Sequence, residues 1–328
     1  MGIRERRSLL AAGLIGGLTW GALPPNPAVA TVILDFDYTY DTGFFKNNPQ
    51  RQAALQAAVA GLSSLLNDNL SAITPGGGNT WTATFTNPTT NAATSIVGPQ
   101  IAAQHILIYV GARAIGGSTI ADSEFGKASA VGTAAWVNTV LNRGQAANTD
   151  FGPWGGEISF DTGRNWNFDP STDVAANQFD FAGAALHEVL HILGYGDTPS
   201  WTRYVDASGF NGPITDAFHD EINKGAVPLS SDESHWAAGT EVTVGSGSVP
   251  LMISDLAAGR RYDLTGLDIA GLCDIGWDLR NGDTNLCRQL PEPPGNGLVL
   301  IPVLLLGILV WTRRQRRAQV DPSATKTS

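Results

Sequence analysis

The chain has 328 residues, 43% hydrophobic and 15% charged, with 38 Gly, 18 Pro and a formal charge of −10. That apolar fraction excludes a wholly disordered chain, and two short apolar runs near the ends exclude a polytopic membrane protein. The ends carry +2 (residues 1–30) and +4 (residues 312–328), so residues 31–311 hold −16. Such an acidic body is repelled by phosphate backbones, which argues against a nucleic-acid partner.

Arg4, Arg6 and Arg7 precede an apolar stretch from Leu9 to Trp20, and Ala28-Val29-Ala30 offers a small-x-small cleavage site. This grammar predicts a secretory signal peptide over residues 1–30. The apolar run, followed by Pro24, Pro25 and Pro27, is short for a membrane anchor.

The body, residues 31–287, is expected to form one α+β domain. Val32, Leu34 and Phe36 alternate with other residues and predict a first strand. Residues 49–68 place Leu55, Val59, Leu62 and Leu66 at helical spacing behind Pro49. Trp81 to Thr86 alternates as a half-buried strand, whereas Ile106 to Val110 is a continuous apolar run fit for a central one. Residues 111–153, rich in Gly, Ala and Ser, carry no assignable pattern. Glu157 to Asp161 predicts another strand, and 177–194 the strongest helix, with Asp180 as its cap and Gly194 as its stop. A last helix starts at Thr265, where Asp268 completes a capping box, and ends near Gly276.

Cys273 and Cys287 are the two cysteines, 14 residues apart. In an oxidising compartment they can form a disulfide behind the last helix; otherwise they are two unrelated thiols.

Beyond the body, an Asn-, Pro- and Gly-rich linker (288–297) leads to an apolar helix (298–311) and a basic tail (312–328). That helix spans about 21 Å and needs its flanks to cross a bilayer. Arg313, Arg314, Arg316 and Arg317 favour the cytoplasmic side, leaving the body outside. Pro291-Glu292-Pro293, the apolar run and the arginine cluster together resemble a PEP-CTERM sorting signal of Gram-negative exopolysaccharide producers. The resemblance implies an exported, surface-sorted protein that meets export and sorting machinery. Residues 318–328, however, continue past the point where such signals stop. A plain C-terminal membrane anchor fits the same residues in the same orientation.

The chemistry lies in His187-Glu188-Val189-Leu190-His191-Ile192-Leu193-Gly194, a demanding pattern for a chain with five His. Histidines at i and i+4 on a helix stand one above the other, so both imidazoles can hold one Zn²⁺. Glu188, one position round, can reach a water beside the ion and take its proton as general base. A satisfied His pair on an apolar helix face is the plain alternative.

Gly194, three residues after His191, and the downstream Met252 resemble the zinc helix and methionine turn of metzincin proteases. The third ligand has two candidates. Asp197 occupies the common metzincin position six residues after His191; His235, followed by Trp236, suits an interrupted motif like that of leishmanolysin-like proteases. Phe210-Asn211-Gly212, Val227-Pro228-Leu229, His235-Trp236, Leu251-Met252, the run Leu264–Ala270 and Asp274-Ile275-Gly276-Trp277 occur in the order seen in the bacterial members of that group. The resemblance covers about residues 105–278 and favours His235. It implies a zincin-like domain with a mixed, mostly parallel sheet, an active-site helix and a C-terminal helix. It further implies a zinc endopeptidase acting on a peptide or protein substrate laid along an edge strand, with Ile106 to Val110 or the Gly-rich stretch after it as that edge. Residues near Met252 are then expected to wall the S1′ pocket.

His219 could ligate only if its loop folds back, and His105 is expected to be structural. Ca²⁺ is a further candidate cofactor, with Asp35, Asp37, Asp41 or carboxylates within 161–180 as donors, though no spacing fits a defined loop. The competing functional reading is a catalytically silent surface or adhesion domain on the same scaffold. A hydrolase of non-peptide amides shares the metal site. Retention of Glu188 favours an enzyme over the silent domain.

Overall fold

The computed structural model describes residues 31–289 except 144, 146–148, 223–224, 243–247 and 283. The expected signal peptide, apolar helix 298–311 and basic tail lie outside the described residues, as does the linker beyond its first two residues. Among the described residues no helix is long and apolar enough to cross a membrane.

Strand β1 (Ile33–Asp37) leads into helix α1 (Pro49–Leu65), whose first turn is closed by Asn48 and Pro49. An antiparallel pair follows, β2 (Thr80–Thr86) and β3 (Ala93–Val97), then β4 (His105–Arg113). The segment without a legible pattern contains β5 (Ala121–Phe125), β6 (Lys127–Val131) and α2 (Ala134–Asn142). Next come β7 (Gly155–Asp161), the short parallel pair β8 (Trp166–Asn167) and β9 (Phe179–Asp180), and α3 (Phe181–Ile192). The remainder holds α4 (Pro199–Thr202), the pair β10 (Val205–Asp206) and β11 (Gly209–Phe210), and α5 (Pro213–Ile222). It closes with α6 (Gly266–Asp274), the pair β12 (Arg280–Asn281) and β13 (Thr284–Asn285), and α7 (Leu286–Gln289).

The architecture is mixed α/β with a mostly parallel sheet. Its strand order is β1-β4-β7-β5, parallel except for β5, which runs antiparallel against β7. Period-two alternation splits the interior in two. Ile106, Ile108, Val110 and Ala112 of β4 enter a core shared with Leu55, Val59 and Leu62 of α1 and with Val189 and Leu190 of α3. Tyr109, from the other face, joins Trp81, Phe85 and Trp154 beneath the second sheet, β3-β2-β6. With both faces covered, β4 needs no polar alternation, which is why it reads as an unbroken apolar run.

Two expectations change here. β4 lies between β1 and β7, so the first of the two stretches expected to offer an edge is excluded; the Gly-rich stretch after it holds β5, an edge strand of this sheet that packs against α3. Asp180 occupies the N-cap position of α3 but makes no side-chain cap. Its carboxylate turns instead to Arg261 and to the Tyr262 amide (2.9 Å), joining the start of α3 to the segment before α6.

Cys273 and Cys287 form a disulfide that fastens α7 to α6. A closed loop of this size contributes about 3 kcal/mol by restricting the unfolded chain.

Candidate metal centre

Helix α3 projects His187 and His191 from successive turns, and the chain then reverses at Gly194. Gly194 has φ +112°, and a Cβ there would stand 2.8 Å from the Phe151 ring, so the turn demands glycine. His235 arrives from a distant loop that is anchored by its neighbour. The Trp236 amide donates to the Met252 carbonyl (2.8 Å), and the Ser230 amide donates to the His235 carbonyl (2.9 Å).

The three Nε2 atoms converge, at 3.2 Å between His187 and His235 and 3.1 Å for each of the other two pairs. These contacts are not hydrogen bonds, because the protons are placed elsewhere. His187 Nδ1 faces the Leu251 carbonyl (3.0 Å), His191 Nδ1 the Tyr195 carbonyl (3.2 Å), and His235 Nδ1 the Asp232 carboxylate (3.0 Å). Each Nδ1 therefore carries the hydrogen and each Nε2 presents a lone pair. Three lone pairs aimed at one point repel one another unless a cation sits between them. The three side chains are close enough to hold one metal ion. Burial first, then the neighbouring imidazoles, hold His187 well below its ordinary pKa and bring His191 to about 4. Both are thus neutral and able to ligate near neutral pH.

Glu188 is buried beside them, and burial raises its pKa to about 8 in the metal-free protein. Its carboxylate accepts a hydrogen bond from the Ser123 hydroxyl of β5 at 2.7 Å. Histidines and glutamate line one cleft of about 700 Å³. Residues 118–123 and Ser254 to Ala258, just after Met252, also line the cleft.

Met252 is fully buried, and its backbone amide donates to the carboxylate of Asp268 (3.1 Å). That carboxylate also accepts from Leu251 N (2.9 Å), Trp236 Nε1 (3.1 Å) and Thr265 of its own capping box. One buried side chain thus ties α6 to both segments that support the triad.

Asp197 is exposed on the cleft rim and is not one of the converging groups. His219 is buried on α5 against the Gly225 carbonyl, and His105 pairs with Asp35 across β1 and β4 (2.6 Å). Asp37 and Asp41 are turned to nearby backbone amides, so with Asp35 they do not gather at a common point.

Ser123 and Asp232 were not singled out in the sequence. Asp232 had a local signal, an acidic residue three positions before His235 in a Ser-rich turn. Ser123 had none, because its strand lay in the segment without a pattern. Comparison of the chain with protein-family models, curated proteins and solved structures finds no match.

Proposed function

We propose that the chain is a metzincin-like zinc endopeptidase with Glu188 as general base. The observation that carries this reading is the convergence of three Nε2 lone pairs next to a buried glutamate in one cleft. Nitrogens around a tetrahedral zinc at about 2.0–2.1 Å lie roughly 3.3 Å apart, close to the 3.1–3.2 Å found here. Neutral imidazoles with a hydrogen-bonded Nδ1 suit zinc, whereas calcium and magnesium take oxygen donors. His187, His191 and His235 would hold the ion. When bound, zinc polarises a scissile carbonyl and acidifies water.

The chain's own groups do the rest. Glu188, which lines the cleft, would take a proton from water there and pass it to the leaving amine. The free edge of β5 offers backbone hydrogen bonds to an extended peptide, and Ser254 to Ala258 wall the pocket beside the scissile bond. The glycine that ends α3, and a buried Met252 whose carbonyl accepts from the residue after His235, support the metzincin reading over other zinc sites. The signal-like N-terminus and the sorting-like C-terminus in the sequence support an activity outside the cell, at the surface or membrane-anchored.

The test is metal analysis of the full-length protein together with casein and gelatin turnover, beside Glu188→Ala. One zinc per chain, with turnover abolished in the variant, is the expected result. Stoichiometric zinc without turnover in the parent protein would instead assign a silent surface domain.

A further inference from the structure

Ser123 makes a second contact with the same residue of α3. Its hydroxyl lies 2.7 Å from Glu188 Oε2 and 2.9 Å from the Glu188 main-chain carbonyl. A serine hydroxyl has one proton, so the two acceptors compete for it. When the proton points at the carboxylate, one oxygen of Glu188 is fixed and the direction of the other is set. Strand alternation makes this contact a consequence of register. Asp122 engages Arg113 of β4, while Ser123, one residue on, meets α3. Ser123 also belongs to the strand whose other edge is unpaired and whose residues line the cleft.

From this geometry we infer that Ser123 is a positioning residue, holding the Glu188 carboxylate toward the cleft from the strand that flanks it. This rests on the proposed peptidase reading for its consequence in turnover but not for the contact itself. A one-ångström misplacement of a reacting group can reduce rates about 100-fold, so loss of this bond acts on the chemical step rather than on substrate capture. Threonine keeps the hydroxyl and suits a strand, so it is the conservative replacement.

Ser123→Ala and Ser123→Thr are compared with the parent in the zinc-loaded protein. The expected result for Ser123→Ala is unchanged zinc content, KM within about twofold and kcat lower by about 10- to 100-fold. Ser123→Thr should recover most of kcat. The second readout needs neither zinc nor turnover: the side-chain carboxyl ¹³C resonance of Glu188 in the metal-free protein. It should move in Ser123→Ala and return in Ser123→Thr. An unmoved resonance, an unchanged kcat, or a loss of zinc in Ser123→Ala would each overturn the assignment. If the parent binds zinc but turns nothing over, the peptidase reading fails, and the resonance alone still decides the role of Ser123.

Discussion

The indole N–H of Trp236 donates to the Asp268 carboxylate across 3.1 Å, with both side chains wholly buried. Trp236 follows one triad histidine, and the same carboxylate accepts from the amide of Leu251, whose carbonyl holds another, His187. Asp268 therefore sets the height of two of the three imidazoles from a helix that contributes no candidate ligand. Replacing it with Asn turns an acceptor into a donor facing either the Trp236 indole and Met252 amide or the Leu251 amide and Thr265. We expect Asp268→Asn to lower unfolding free energy by about 2–4 kcal/mol and to reduce zinc retention. Denaturant titration and metal analysis after dialysis check both. Lost stability with zinc retention intact would confine Asp268 to the fold.

The third ligand is separable by substitution. His235→Ala should weaken zinc binding by on the order of 100-fold or more, while Asp197→Ala, on the exposed rim, should leave it unchanged. Asp232→Asn keeps the shape of the His235 partner but removes its charge, and groups in this supporting position are worth about 10- to 100-fold in affinity. Competition with a chromogenic chelator measures all three. Zinc lost from Asp197→Ala and kept in His235→Ala would reverse the assignment.

Much of this arrangement was legible because its determinants are local. The i, i+4 spacing on α3, the Thr265–Asp268 capping box and the apolar run of β4 each express one element's own geometry. β5, β6 and α2 were not legible. β6 alternates half-buried Ala128 and Ala130 with exposed Lys127, Ser129 and Val131, and β5 is polar because one face meets Arg113 and the other Glu188. Their identity as strands comes from pairing with β2 and β7, which no local pattern encodes. Asp180 shows the converse: its local signal was a helix cap, and a distant arginine and amide outcompeted it.

Buried acids should make the fold less stable as pH rises. Asp68 is buried, with a pKa raised to about 8 by burial and then by Asp150 and Asp278. In an unfolded chain it would titrate near 3.9. The folded state therefore binds this proton more tightly, so stability is greatest below about pH 4 and falls as pH climbs toward 8. One such group contributes at most about 1.4 kcal/mol per pH unit in that window. Glu157 and Asp274, raised to about 9 and about 6 mainly by burial, act in the same direction, so substitution removes only the share of Asp68. Asp68→Asn should flatten unfolding free energy between pH 5 and 8 in chelator-treated protein. Equal slopes for both proteins would show that Asp68 does not carry the effect.

Among the described residues, Arg143, a buried cation, has carbonyl oxygens and no carboxylate as its hydrogen-bond partners. Its guanidinium donates to the carbonyls of Ser71 (2.6 Å), His105 (3.1 Å), Pro153 (3.0 Å) and Ala102 (3.3 Å). It thereby joins the approach to β2, the start of β4 and the approach to β7. Burial lowers its pKa to about 10, which still leaves it charged near neutrality. The planar fork suits carbonyls arriving from several directions, whereas a lysine ammonium offers three donors around one point. Arg143→Met would strand these carbonyls in the interior, and a loss of about 3–5 kcal/mol is expected, as for breaking other buried charged networks. Arg143→Lys should fall between the two, because charge survives but reach does not. Unfolding by guanidinium chloride at fixed pH ranks the three proteins. If the lysine variant matches the parent, charge alone rather than fork geometry secures these strand ends; if the methionine variant matches it, the carbonyls find other donors and Arg143 is not the tie that joins them.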